Sequence, residues 1–436
     1  MSAPSPAPGS VIYLSHDGML EPLGGSQVLP YVLGLARRGF RMQILSFEKP
    51  GDLELPQRKL ALEEELRKRG VEWLPLPYRS NPPLLAQAGD VFRGARQSRR
   101  ILASLPGPHL IHARSYVAGM MALLVHLFTG VPYIFDMRGF WIDERVEAGF
   151  WRRSSPLVSL LRRIEADLLR HASAVVVLTH RGRELLEGRA GYVPPGRVRV
   201  IPTCTDLERF HPPSSPHHQA DALALRKELG VHSGPLLVYS GSLSTWYMGP
   251  ETFLVARGFL AAGGGGFLVL TREVEEARRL AKQAGVKAVI RTVSHSEMPG
   301  WLKAADAGLA LVRPSWAKGA SAPTKVGEYL ASGLAVAATA EVGDLEDHLK
   351  GSPVGFTVDS RALEAEPTDT PEEGSQGKWE AVGARLLAMA LRPDRAKLAR
   401  EVALREYALD RGTEAYRRLY TDILSPGPTS SGKAYA

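Results

Sequence analysis

The sequence predicts an α/β protein of two domains, each an open parallel sheet with crossover helices, and three observations carry this. The chain has 436 residues, too many for one ordinary core and suited to two α/β domains. Short apolar runs alternate with helical patterns along most of its length, as parallel strands joined by helices require. A stretch from His211 to Gly234, with Pro212, Pro213 and Pro216 near its start, divides that pattern in two.

In the first half, strands are expected at Val11–Ser15, Met42–Phe47, Leu110–Ala113, Tyr133–Asp136, Ala174–Thr179 and Val198–Pro202. In the second they are expected at Leu236–Gly241, Phe267–Thr271, Ala288–Arg291, Gly308–Val312 and Leu334–Thr339. The expected organisation is a flexible N-terminus (1–10), a Rossmann-like domain (11–210), a linker (211–234) and a second Rossmann-like domain (235–409). Within the second, 351–377 is acidic and rich in Pro, Thr and Gly, and reads as a solvated loop insertion. A helix over 410–424 is expected to return to the first domain, with 425–436 a flexible tail.

Composition narrows the class. Apolar residues make up 44% and charged residues 23%, the balance of a soluble globular protein. The single cysteine, Cys204, allows neither an internal disulfide nor a zinc cluster, which suits a reducing compartment. Met1 to Ser10 has no basic start and no apolar run, so no signal peptide is expected. The apolar stretch Tyr116 to Phe128 is interrupted by His126 and falls short of the roughly 18 residues of a membrane span. A cytoplasmic protein is expected. The net charge of +8 favours an anionic partner. With no zinc-finger spacing or RNP-type aromatic motif, nucleic acid is not expected, which leaves nucleotide phosphates and lipid headgroups.

Ligands of open parallel sheets bind beyond the carboxyl ends of the strands. There the chain carries HDGMLEPLGGSQ, RSY and DMRGFW in the first half, and GSLSTWY, TRE and RPSWAKGASAPTK in the second. Gly24 and Gly25 let backbone approach a ligand, and the helix behind them offers free N–H groups to an anion. A tight turn with Ser26 as N-cap is the simpler alternative. Asp136 ends a buried strand, where a carboxylate can orient or deprotonate an acceptor hydroxyl. Equally, it can form a structural ion pair with Arg138 or Arg114. His112, inside a strand, reads as a core histidine.

The most informative segment runs from Ser321 to Gly333. Ser321 is expected as N-cap, Pro323 in the first turn and Gly333 as the C-terminal stop. Free amides around Thr324 and Lys325, with the lysine itself, can hold a diphosphate. Glu328 lies one turn on along the same face, where a carboxylate can accept both hydroxyl protons of a ribose. A capped helix with a surface Lys–Glu pair would show the same spacing.

PTKVGEYLASGLAV resembles the second-domain motif of glycosyltransferase family 4, whose members have the GT-B fold, two Rossmann-like domains with parallel sheets facing across a cleft. LGGSQVLPYVLGLARRG resembles that family's first glycine-rich turn and helix. ASAVVVLTHRGRELL with VRVIPTCTDLERFHP resembles the approach to its linker, and YSGSLSTWY the first turn of its nucleotide-binding domain. The motifs occur in family order from Val11 to about Leu424.

The resemblance implies transfer of a sugar, with retention, from a nucleotide-sugar donor to a glycan or lipid-linked acceptor. It places Glu328 on the ribose, and Gly25 with the amides of Thr324 and Lys325 near the diphosphate or the transferred sugar. Donor contacts are expected from Gly24, Gly25, Gly241, Ser242, Lys318, Thr324, Lys325 and Glu328. Catalytic roles are expected for Asp136, Lys325 and Arg272, and acceptor-side roles for Arg114, Arg138 and Trp141.

The chain departs from the family pattern in three places. The paired glutamate eight residues before Glu328 is Ala320. The turn that usually carries the diphosphate's Arg and Lys holds Ser242 and Trp246-Tyr247, so Arg272, Lys318 and Lys325 are expected to substitute. Asp136 stands where many relatives carry histidine. No D-x-D sequence occurs, so no metal and no cofactor is expected. A nucleotide-sugar epimerase or hydrolase of the same fold, or a non-catalytic nucleotide-sugar binder, are the other readings. Arg93, Arg96 and Arg100 on one helix face, and Phe150-Trp151-Arg152-Arg153 before an amphipathic helix, suit peripheral contact with the anionic inner face of a membrane. Core packing with solvated arginines is the alternative for each.

Overall fold

The computed structural model describes residues 9–54, 56–81, 83–189, 193–364 and 371–425. The expected tail, most of the expected N-terminal segment, and positions 365–370 of the expected insertion lie outside the described residues.

The first sheet contains β1 (Ser10–Ser15), β2 (Arg41–Glu48), β3 (Glu72–Pro77), β4 (His109–Arg114), β5 (Tyr133–Asp136), β6 (Ala174–Val177) and β7 (Val198–Val200). They are all parallel, in the order β3-β2-β1-β4-β5-β6-β7. The second contains β8 (Leu236–Ser240), β9 (Gly266–Leu270), β10 (Val289–Arg291), β11 (Ala307–Ala310), β12 (Ala335–Thr339) and β13 (Gly355–Val358). Its order, β10-β9-β8-β11-β12-β13, repeats the first and is also parallel throughout. Each sheet is buried on both faces under helices, which explains why its strands read as continuous apolar runs.

Two strands were not expected. β3 (EWLPLP) carries two prolines, tolerated because it pairs only with β2, at the sheet edge. β13 falls inside the segment expected to be a solvated loop, but Gly355, Phe356 and Val358 are buried and the strand pairs with β12. It is followed by helices Ser360–Glu364 and Pro371–Ala390. The acidic composition of the whole segment masked this short apolar run. The expected linker also holds a helix, Pro216–Glu228, capped by the Ser215 side chain with Pro216 in its first turn. Its Ala222, with Leu229 and Val231 beyond it, joins the second domain's core.

The chain crosses between domains twice, and the crossings are bonded to each other. Thr205 N donates to Tyr407 O at 2.7 Å, and Leu409 N donates to Thr205 O at 3.1 Å. The last helix, Leu409–Leu424, then packs on helix Leu29–Arg37 and buries Tyr416 and Tyr420 in the first domain's core.

The domains are closed on one another. Thr179 Oγ1 donates to Gly319 O at 2.8 Å, and Asp344 accepts from the amides of His180 (2.7 Å) and Arg181 (3.1 Å). Phe140 stacks on Trp316, and Ala317 and Ala320 join the first domain's apolar cluster.

Candidate functional site

Strand order reverses between β1 and β4 in one sheet and between β8 and β11 in the other, so a crevice opens at each of these carboxyl ends. Most of the expected site residues lie along these two crevices, which the closed domains bring together.

On the second domain, helix Thr324–Ala331 begins two residues later than expected. Pro323 is the N-cap residue, and no side chain caps the helix. Ser321 instead ends the short 3-10 turn Ala317–Ala320. The first-turn amides are therefore free of side-chain acceptors from the cap, which leaves the positive end of the helix available to an anion. Lys325 and Glu328 are both buried on this helix. Lys325 Nζ has no hydrogen-bond partner and sits 4.3 Å from the ring centroids of both Tyr239 and Tyr247. Burial pulls its pKa down to about 7. Burial likewise pushes the Glu328 carboxyl up to about 7, against the opposing pull of Arg209 and Lys325. Gly241 has φ +118°, and a Cβ there would come within 3.1 Å of Lys325 Nζ. The turn after β8 and the helix after β11 thus meet at Lys325.

The cations expected to assist Lys325 are placed differently. Lys318 Nζ donates to Glu144 Oε1 across the domain boundary at 2.8 Å and lies over the Trp246 ring. Arg272 is exposed and makes no hydrogen bond or ion pair among the described residues. Its neighbour Glu273 reaches into the turn, accepting from Ser242 Oγ and from Leu243 N at 3.1 Å. A carboxylate therefore braces the turn where a cation was sought.

On the first domain, Gly24 packs so closely on the backbone of Gly18 and Met19 that a Cβ would clash, whereas Gly25 faces open space. Residues Gly24–Val28 form a π-turn, and Ser26 Oγ donates back to Pro22 O at 2.7 Å rather than capping the helix. Gln27, given no role by the sequence reading, joins the two domains. Its Oε1 accepts from Arg114 Nη2 (2.6 Å) and Arg138 Nη2 (3.0 Å), and its Nε2 donates to Thr324 Oγ1 at 2.9 Å.

Asp136 is 1% exposed. Its Oδ2 accepts from Tyr416 Oη at 3.3 Å and lies 3.4 Å from His112 Nε2 and 3.6 Å from Arg138 Nη1. Burial favours its neutral form, but Arg138, His112 and Arg114 outweigh this and hold the carboxyl below its ordinary range. This geometry favours the ion-pair reading over a base exposed to the cleft. His112 is buried, packed among Tyr13, Tyr416 and Tyr420, as a core histidine would be. Trp141 is half-buried and packs against Tyr116 and Trp151.

Ala320 lies in the interface between the domains. It is 2% exposed and packs against Gly182 of the first domain, where an added Cβ would come within 3.1 Å of it. A cavity of about 800 Å³, lined by His180, Trp316, Asp344, Arg361 and Arg385 among others, contains none of the expected site residues.

Residues 24–204 match the family model described as a glycosyl transferase 4-like domain. None of the curated proteins compared with the chain matches it in sequence. Among solved structures, a glycosyltransferase from Rickettsia africae ESF-5 superposes with TM-score 0.66 at 14% identity, covering 96% of this chain and 99% of its own. HepE of Anabaena in complex with UDP-glucose gives 0.62 at 14% identity, covering 95% and 100%. The catalytic domain of starch synthase IV from Arabidopsis thaliana, bound to ADP and acarbose, gives 0.58 at 14% identity, covering 96% and 99%. Residues 24–204 are thus similar to a glycosyl transferase 4-like domain, and the whole chain has the two-domain α/β fold of these solved structures, the GT-B fold.

Proposed function

We propose that the chain transfers a sugar, with retention, from a nucleotide-diphosphate sugar held mainly by its second domain to a glycan or lipid-linked acceptor. The observation that carries this is the uncapped start of helix Thr324–Ala331, with Lys325 and Glu328 buried on it and Lys325 against the turn at Gly241. In this reading the Glu328 carboxylate accepts from the ribose hydroxyls, while the first-turn amides and Lys325 hold the diphosphate. Charge grows on that diphosphate as the glycosidic bond breaks, so preorganised donors act where they lower the barrier. Lys325, neutral or charged near pH 7, takes up a proton when an anion arrives. The reading needs no metal. Solved neighbours carrying UDP, UDP-glucose and ADP support a nucleotide ligand without selecting the base. Nucleotide titration tests it, with loss of binding in Glu328→Ala expected. Products formed without acceptor would point to an epimerase or hydrolase, and binding without turnover to a non-catalytic binder.

A membrane-borne acceptor has its own support. Phe92 (67% exposed), Leu127 and Phe128 (74% exposed) stand out from helices Pro83–Ser104 and Ser115–Thr129. Between them runs a groove of about 480 Å³ lined by Arg96, Arg99 and Arg100. Exposed aromatic side chains among arginines suit an anionic bilayer surface. Arg93 belongs elsewhere, on Asp90 and the Pro77 carbonyl. In helix Pro156–His171, Val158 and Leu168 face the core, while Leu160 and, before the helix, Phe150 are exposed. Among the described residues no helix is long and apolar enough to cross a membrane.

A further inference from the structure

The first domain gathers two guanidinium groups behind Gln27, the side chain that crosses to the second domain. Arg114 closes β4, and Arg138 follows β5 at a left-handed backbone position, φ +61°. Both donate to one oxygen, Gln27 Oε1, whose partner nitrogen donates to Thr324 Oγ1 on the first residue of the helix proposed to hold the diphosphate. Two guanidinium donors on one side fix which way the carboxamide points, since a flipped amide would set N–H against N–H. Each arginine stands 3.6 Å from a carboxylate, Arg114 from Asp17 and Arg138 from Asp136, beyond good hydrogen-bond length. A neutral oxygen therefore takes bonds that an anionic oxygen takes more strongly. Arg114 Nε is buried without a partner on this wall, as is Lys325 Nζ on the facing one.

We infer that Arg114 and Arg138 form an anion clamp for the donor's diphosphate, with Gln27 Oε1 holding the place of a phosphate oxygen. This rests on the donor-site reading and deepens it. The cations absent from the turn after β8 are supplied from the opposite domain, and both arginines move from the acceptor side to the donor. Because clamp and helix lie on different domains, a diphosphate bridges them and holds the cleft shut. A monophosphate engages the second domain alone.

Gln27→Glu tests the clamp, because it sets a carboxylate between the guanidiniums with almost no change of shape. Wild type and variant are titrated calorimetrically, without added metal, with UDP, GDP, ADP and dTDP, the matching monophosphates, and inorganic pyrophosphate. The variant should melt no lower than wild type. It should lose at least about tenfold in affinity for pyrophosphate and for the diphosphate that wild type binds, and keep its monophosphate affinity within about twofold. Arg114→Gln, whose partner Asp17 is solvent-accessible, should show the same selective loss. Equal diphosphate affinity in Gln27→Glu and wild type overturns the clamp, as does an equal loss for mono- and diphosphates. Pyrophosphate binding that Gln27→Glu removes, with no nucleotide bound by wild type, supports the clamp and contradicts the nucleotide-sugar reading. No binding of pyrophosphate or any diphosphate to wild type overturns both.

Discussion

Gln27 and Thr324 meet across the cleft, Nε2 donating to Oγ1 at 2.9 Å, although 297 residues separate them in the chain. That bond ties the glycine-rich turn of the first domain to the helix start where the second is proposed to hold its donor. The site is thus a property of the closed arrangement of both domains, and the predictions below address its parts in turn.

Lys325 is held without a hydrogen-bonding partner in a buried site, which costs stability. Lys325→Met should therefore stabilise the protein by about 1–3 kcal/mol near pH 7 while lowering turnover at least about a hundredfold. The pH dependence has a defined sign. Glu328, raised from 4.5 to about 7, contributes stability that is lost as pH rises through that window. Lys325, lowered from 10.5 to about 7, contributes stability that is lost as pH falls from about 10.5 to 7. Together they give a trough near pH 7, which denaturant melts across pH 5–10 should show and the double variant Lys325→Met, Glu328→Gln should flatten.

Asp136→Asn separates the two roles considered for that carboxylate. As the buried partner of Arg138, its loss should cost about 3–5 kcal/mol in urea unfolding. A catalytic base would instead lose turnover at unchanged stability.

Ala320→Glu restores the residue that the family pattern expects but sets it against Gly182. Crowding and an unpaired buried carboxylate should together cost about 2–4 kcal/mol and weaken nucleotide binding. Tighter binding in this variant would show that the interface opens to admit the side chain.

The exposed aromatic–arginine surface should bring the protein to anionic vesicles. Flotation with phosphatidylglycerol-containing liposomes at low salt should recover the wild type, and Phe92→Ser with Phe128→Ser should remain in the soluble fraction. Equal flotation of both would move the contact elsewhere.

Much of this architecture was legible in the sequence because parallel strands buried on both faces leave continuous apolar runs. Glycine pairs and the TKVGE segment at strand ends marked the crevices. β3 escaped because its prolines forbid an interior strand but not an edge one, and β13 because an acidic surround hid four residues. Glu328 and Lys325 were legible from helix spacing. Gln27, Arg209 and Glu273 were not, since Thr324, Glu328 and Ser242, which they meet, are far from them in the chain and only folding brings them together. The meeting of Arg114 and Arg138 on one Gln27 oxygen is likewise invisible in the sequence, because 87 and 111 residues separate them from Gln27.

Calorimetric titration of the purified protein with UDP, GDP, ADP, CMP and dTDP, without added metal, tests the central claim most directly. Saturable binding of one nucleoside diphosphate, weakened at least about tenfold in Glu328→Ala, is the predicted result. Binding of none, or binding that Glu328→Ala leaves unchanged, would contradict the donor site described here.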